Sequence, residues 1–460
     1  MNLSDIKYTY FVGIGGIGMS ALARYFAHAG CRVAGYDRTE TALTIKLVEE
    51  GIEIHYEDDT NLIPDEFKQN PQNTLVVFTP AIPAQHSEMN WLKDNGFELM
   101  KRAQVLGLLT RSLKAIGIAG THGKTTTSTL TAHLLYGSKI GANAFLGGIS
   151  KNYNTNLLLS KNSQWVVVEA DEYDRSFLQL SPQIAVITST DADHLDIYGS
   201  KDEVLKSFHQ YAERIKPGGY LISKTGIEAQ FDDIKGITQY KYSVKPEGAD
   251  FYPVNLRQHD GLYHFDLQTP NGIVKDLILG LPGLMNVENS IAAMSSALLA
   301  GASEDEIRVA LASFSGVKRR FDYHIRTEKT VYIDDYAHHP EELKAAITSA
   351  RKIYPNRKIT GIFQPHLYSR TRDFAAEFAQ SLSLLDEVIL LDIYPARELP
   401  IPGVTSEIIF KDITSPEKMM CAKDDVINIL KNKNIDILMT MGAGSIDMLI
   451  DPIKQLLDKQ

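Results

Sequence analysis

A chain of 460 residues is too long for one ordinary domain, and a length prior points to about three. Its net charge of −10 argues against nucleic acid as a main partner, and its two cysteines, Cys31 and Cys421, are too few and too far apart for a disulfide framework. No basic segment followed by an apolar core opens the chain and no apolar run reaches membrane-spanning length, so the expectation is a cytoplasmic protein with no membrane partner.

Residues 8–12 read as a strand, and Gly13-Ile14-Gly15-Gly16-Ile17-Gly18 follows it. A helix over 19–28 and a second strand over 32–36 lead to Asp37, about twenty residues past the glycines. This is a dinucleotide fingerprint in a βαβ setting. The glycines allow a tight turn and close approach to a pyrophosphate, while Asp37 either accepts from a ribose hydroxyl or caps the strand end. The physics specifies a nucleotide diphosphate, so NAD in a dehydrogenase and a nucleotide-sugar both fit. A further strand over 74–78 runs into a loop in which Pro80 and Pro83 forbid a helix. His86, in that loop, is expected to face solvent.

Residues 115–119 read as a buried strand that breaks at Gly120-Thr121-His122-Gly123, before Lys124, Thr125 and a helix over 126–135. Strand, glycine loop, Lys-Thr and helix make a phosphate cradle: backbone N–H groups at a helix start face the anion, Lys124 neutralises phosphate and Thr125 reaches Mg²⁺. Only two residues separate the glycines, where the usual loop has four. Residues 141–150 are rich in glycine and read as a loop. A β-branched strand then ends in Glu169-Ala170-Asp171-Glu172. Glu169 stands where a Mg²⁺ ligand would face the phosphate loop; Asp171 and Glu172 suit a metal or a solvated turn equally. A strand over 184–188 leads to Asp193-His194, and His194 suits a second Mg²⁺, which a highly charged phosphoryl transfer would use. Residues 220–279 read as an antiparallel edge extension. A helix over 290–300 stops at Gly301, and Asn286 and Asn289 meet a base edge or cap that helix.

Lys318-Arg319-Arg320 marks a boundary. A strand runs into Asp334-Asp335-Tyr336-Ala337-His338-His339-Pro340, with Pro340 opening a helix through Ile353. Another, over 358–363, runs into Gln364-Pro365-His366-Leu367-Tyr368-Ser369-Arg370, where Arg370 can clamp a carboxylate bidentately. Strands over 387–391 and 435–439 complete the alternation. The expected fold class is therefore α/β in three domains. These are a Rossmann-like domain over 1–108, a central P-loop ATPase-type mixed sheet over 109–316, and a C-terminal Rossmann-like domain over 317–460.

The phosphate loop with its short spacing, the glycine turn near the start, Glu169-Ala-Asp-Glu, Asp193-His194, residues 334–340 and Gln364-Pro-His366 together resemble the Mur ligase family. These are the ATP-dependent amide-forming enzymes of peptidoglycan synthesis. The resemblance implies one domain each for a UDP-sugar, ATP and an amino acid. It implies that Gly15, Gly16, Ile17 and Gly18, with Asp37, hold the UDP-sugar rather than NAD. It implies that Gly120, Thr121, His122, Gly123, Lys124, Thr125 and Thr126 hold ATP, helped by Asn286, Arg320 and Asp335. Thr125, Glu169 and His194 would hold two Mg²⁺ ions. Tyr336, His338, His366 and Arg370 would line the amino-acid pocket. The chemistry implied is an acyl phosphate attacked by an amine, with Lys124 on the phosphoryl group and His194 or His366 taking the amine proton. The Gly-Ile-Gly-Gly-Ile-Gly-Met-Ser start is similar to members joining L-alanine to UDP-N-acetylmuramate. Leu367, where the family often has Arg, keeps open the members that attach a whole murein tripeptide in recycling. Ser189, Met285 and Ser445 also depart from the pattern. A monomer or homodimer is expected.

Overall fold

Five parallel strands open the chain: β1 (Tyr8–Val12), β2 (Arg32–Tyr36), β3 (Glu53–His55), β4 (Thr74–Phe78) and β5 (Glu98–Lys101), in the order β3-β2-β1-β4-β5. The computed structural model describes residues 3–79, 82–160, 163–191, 195–259, 261–396 and 398–459. Strand order reverses between β1 and β4, the switch point at which open α/β sheets bind ligands. The glycine turn after β1 sits there.

A seven-stranded sheet follows, built from β6 (Lys114–Ala119), β7 (Asn143–Ser150), β8 (Thr155–Leu158), β9 (Trp165–Glu169), β10 (Ile184–Ile187), β11 (Tyr220–Lys224) and β12 (Thr238–Tyr242). Its order is β12-β11-β10-β6-β9-β7-β8, and only the β7–β8 pair is antiparallel. Strand β6 is central and buried on both faces. Ala115 and Ala119 pack into one core with Val105 and Leu109, while Ile116 and Ile118 pack into another with Leu130 and Leu134. That two-sided burial is why its sequence is a continuous apolar run. In register, Ile118 lies beside Glu169 of β9 and Ala119 beside Ile187 of β10. Three loops therefore leave the same sheet edge side by side.

Two expectations need correction. The glycine-rich stretch read as a loop is largely strand β7. Of the stretch read as an antiparallel extension, β11 and β12 are parallel members of the large sheet. Only β13 (Tyr252–His259), β14 (Leu262–Thr269) and β15 (Gly272–Leu279) form an antiparallel sheet of their own. A helix, Arg102–Ser112, links β5 to β6.

The chain separates into two compact units, Met1–Pro282 with Asn286–Gly316 and Gly283–Met285 with Val317–Gln460. The second holds β16 (Asp322–Arg326), β17 (Val331–Asp335), β18 (Ile359–Phe363), β19 (Glu387–Leu390), β20 (Glu417–Met420) and β21 (Ile437–Met441), ordered β16-β17-β21-β18-β19-β20. All pairs but β16–β17 are parallel. A Cβ on Gly442 would stand 2.7 Å from the Gln364 carbonyl, and one on Gly444 would stand 2.6 Å from Gln364 Oε1. The glycines after β21 let the loop after β18 pass close.

Candidate functional site

After Ala119 the chain turns through Gly120 and Gly123, at φ of 133° and 81°. A Cβ on Gly120 would collide with Thr188 Oγ1, and one on Gly123 would stand 2.8 Å from Asn289 Oδ1, so both positions require glycine twice over. Gly123, left-handed, caps the helix Lys124–Tyr136, which begins two residues earlier than its sequence suggests. The loop is tied down from the end of β10. Thr188 Oγ1 donates to the His122 carbonyl, and Ser189 Oγ accepts from His122 N at 2.8 Å and pairs with Thr121 Oγ1 at 2.8 Å. The first-turn N–H groups of the helix are left for an anion. Lys124 Nζ donates to the Gly120 carbonyl at 2.6 Å, and Thr125 is buried in the first turn. Sequence reasoning saw Ser189 only as a departure; the signal it lacked was the parallel neighbour strand. Ser189→Ala removes two bonds from a buried loop, a cost of about 1–2 kcal/mol. Calorimetric titration with the nucleoside triphosphate expected for this loop should show binding weakened about tenfold.

Glu169 ends β9, and its Oε2 is buried with no hydrogen-bond partner. A Cβ on Gly147 would collide with that oxygen, so the glycine of β7 makes room for the carboxylate. A buried oxygen without a donor, at the end of the strand next to the one that runs into the phosphate loop, fits a hard cation. Among the described residues no group of three or more His, Cys, Asp or Glu could hold a metal alone. Mg²⁺ commonly takes most of its ligands from phosphate and water. His194 lies outside the described residues.

Glu169 and Asp171 line a cavity of about 320 Å³ that is also lined by Gly16, Ile17, Gly18 and Arg102. The glycine turn and the metal-type carboxylate thus share one space. A Cβ on Gly18 would collide with the Arg102 guanidinium, so that cation lies against the turn. Arg102 went unnoticed in the sequence because nothing local marks it; only its place at the end of β5, on the same sheet edge, does. Asp37 Oδ2 accepts from Gly15 N at 2.7 Å, which ties this carboxylate to the glycine turn. His86, expected in solvent, is buried. It caps the helix Ser87–Asp94 by accepting from Met89 N at 3.3 Å, stands 3.2 Å from Asp58 Oδ1, and meets the Tyr36 ring edge-on at 4.5 Å. Burial lowers its pKa. Asn286 and Asn289 lie within the helix Leu284–Ala300 and do not cap it; Asn286 donates to the Pro282 carbonyl at 2.7 Å.

In the second unit, Asp334 is fully buried and accepts from Arg319 Nε at 3.0 Å and Thr440 Oγ1 at 2.7 Å. Asp335 accepts from Phe321 N at 2.7 Å and Ala337 N at 2.8 Å, which braces the turn around Tyr336. Burial pushes its carboxyl up to about 6, against the pull of Arg320. Arg320 lies 5.2 Å over the Tyr336 ring and 4.0 Å from Glu342. His338 Nδ1 pairs with the Tyr336 carbonyl at 3.0 Å, and burial holds its pKa down despite Glu342, helped by Arg370 and Arg320. The His338 and His366 rings are 6.0 Å apart, and His366 stacks on Tyr394 at 5.9 Å. Arg370 Nη1 is buried with no hydrogen-bond partner. Tyr336, His338, His366 and Arg370 thus gather at the carboxyl ends of β17 and β18. Tyr394, which sequence reasoning missed, completes the cluster. Leu367, at φ of 72°, contributes its backbone N–H to the Tyr394 carbonyl at 3.0 Å.

Three family patterns cover most of the chain. The Mur ligase family catalytic domain matches residues 8–114, the Mur ligase middle domain 118–297, and the Mur ligase glutamate ligase domain 319–444. The chain belongs to the Mur ligase family. Among Mur ligases it is 54% identical to a UDP-N-acetylmuramate–L-alanine ligase of Phocaeicola vulgatus, over the full length of both chains. It is 48% identical to the ligase of the same name from Flavobacterium johnsoniae, again over both full lengths. A crystal structure of UDP-N-acetylmuramate–alanine ligase from Thermotoga maritima superimposes with a TM-score of 0.81 at 25% identity, covering 98% of this chain and 100% of that one. A murein peptide ligase from Psychrobacter arcticus shares the fold, with a TM-score of 0.70 at 23% identity over 99% of each chain.

Proposed function

We propose that this Mur ligase joins L-alanine to the carboxylate of UDP-N-acetylmuramate, using ATP, in peptidoglycan precursor synthesis. The observation that carries the reading is identity of about half over the whole chain to ligases of that name. The site geometry supports it. The acid attacks the terminal phosphate of ATP and becomes an acyl phosphate; the neutral amine of L-alanine attacks the carbonyl; ADP and phosphate leave. Lys124 and the helix start after Gly123 hold the triphosphate. Thr125 and Glu169, with His194, would hold Mg²⁺, which when bound neutralises charge on the transferring phosphoryl group. The glycine turn and Arg102 meet the pyrophosphate and the acid end of the UDP-sugar, so that the carboxylate arrives beside Glu169. Arg370 takes the alanine carboxylate. His366 or His194 accepts the proton that the amine gives up. A dehydrogenase would leave the phosphate loop without a task. Among the described residues no helix is long and apolar enough to cross a membrane, and a cytoplasmic site of action suits these substrates.

The two arginines separate the substrates. Arg102→Ala should raise KM for UDP-N-acetylmuramate about 10- to 100-fold, the worth of a charge-assisted contact, and leave KM for L-alanine alone. Arg370→Ala should do the reverse, read by steady-state kinetics with each substrate varied. The activity itself is tested by offering L-alanine and L-alanyl-γ-D-glutamyl-diaminopimelate in competition; preferential ligation of the peptide would overturn the proposal.

A further inference from the structure

Glu172 lies three residues past Glu169, where the sequence left it between a metal ligand and a solvated turn. The structure gives it a different place. Its side chain is 2% exposed. One carboxylate oxygen accepts from Lys124 Nζ at 2.8 Å, and the other stands 2.8 Å from the same nitrogen. Its backbone is pinned as well: the carbonyl accepts from Tyr198 Oη at 2.6 Å, and Tyr198 is itself buried beneath the Arg175 guanidinium at 5.4 Å. Lys124 completes its pairing on the Gly120 carbonyl. The phosphate-loop lysine is therefore already matched, in charge and in direction, before any nucleotide arrives.

We propose that Glu172 is a positioning residue for Lys124, and that ATP gains the lysine only by displacing this carboxylate. The inference rests on residues 120–125 being the triphosphate site. A buried ammonium without a counter-charge is costly, so an empty loop needs a partner for Lys124, and Glu172 supplies it. The same carboxylate competes with the incoming phosphate for one cation and repels it as a like charge. Glu172 thus keeps the empty site ordered and holds nucleotide affinity down. This role sets it apart from Glu169, whose orphaned oxygen calls for a cation of its own.

Glu172→Gln keeps the shape and removes the charge. Calorimetric titration with a non-hydrolysable ATP analogue and Mg²⁺ should show binding tightened about tenfold or more. The melting temperature of the nucleotide-free protein should fall, and KM for L-alanine should not move. A residue that merely supports the fold could not tighten binding. Unchanged or weaker binding overturns the proposal, the latter being the mark of a metal ligand. Glu172→Asp, which keeps the charge but draws it back, should give a smaller tightening and serves if the glutamine variant does not fold. Wild-type protein that fails to bind the analogue would refute the triphosphate site itself, a result distinct from failure of the Glu172 proposal.

Discussion

Replacing Lys124 by alanine is expected to lower kcat/KM for ligation by about 1000-fold or more, the scale set by losing a preorganised charge on a transferring phosphoryl group. Lys124 Nζ already sits within the loop, on the Gly120 carbonyl, so once Glu172 is displaced the ammonium has little distance to move to reach phosphate. The variant also leaves Glu172 without its partner. Removing one member of a buried ion pair costs about 3–5 kcal/mol when the survivor stays charged. Burial already pushes the Glu172 carboxyl up to about 7, and without the ammonium it goes higher. A carboxyl raised by burial costs nothing only below its ordinary pKa, where the unfolded chain is protonated too; above it the unfolded chain ionises first, so the stability loss should vanish in acid and grow as pH rises toward and past 7. The double variant Lys124→Ala with Glu172→Gln should recover stability and remain inactive. Urea unfolding at several pH values, beside a phosphate-release assay, reads both effects.

Glu169→Gln should lower kcat about 100-fold or more and raise the Mg²⁺ concentration needed for half-maximal rate. The side chain keeps its shape, so its packing against Gly147 survives and only the charge offered to a cation is lost. Gly147→Ala reaches the same carboxylate without touching its chemistry: the added methyl group would occupy the place of Glu169 Oε2. It should share the altered Mg²⁺ dependence. If Gly147→Ala alters only stability, Glu169 does not depend on that cradle.

Features carried by local punctuation were legible in the sequence. The two glycine turns, the apolar runs of β1, β4, β6 and β10, and the residues gathered after β17 and β18 each announce themselves within about ten residues. What was hidden depends on contacts between segments far apart in the chain. Gly147 and Gly148 looked like a loop because glycine usually interrupts a strand; here Gly147 gives way to a carboxylate brought alongside by the β7–β9 pairing. Ser189 and Arg102 matter through neighbouring parallel strand ends, which no local pattern encodes. His86 looked solvent-facing after its prolines because the helix it caps begins only at Ser87. Asp37 was legible as a candidate ligand, but its tie to Gly15 N across the glycine turn was not.

The most direct measurement is an omission series with the purified chain, scoring phosphate release and product mass together. With ATP, Mg²⁺, UDP-N-acetylmuramate and L-alanine all present, the account predicts one phosphate released per amide formed, a product equal to the two substrates less water, and no product when any component is left out. Phosphate release without an amide, or no reaction in the complete mixture, would contradict it.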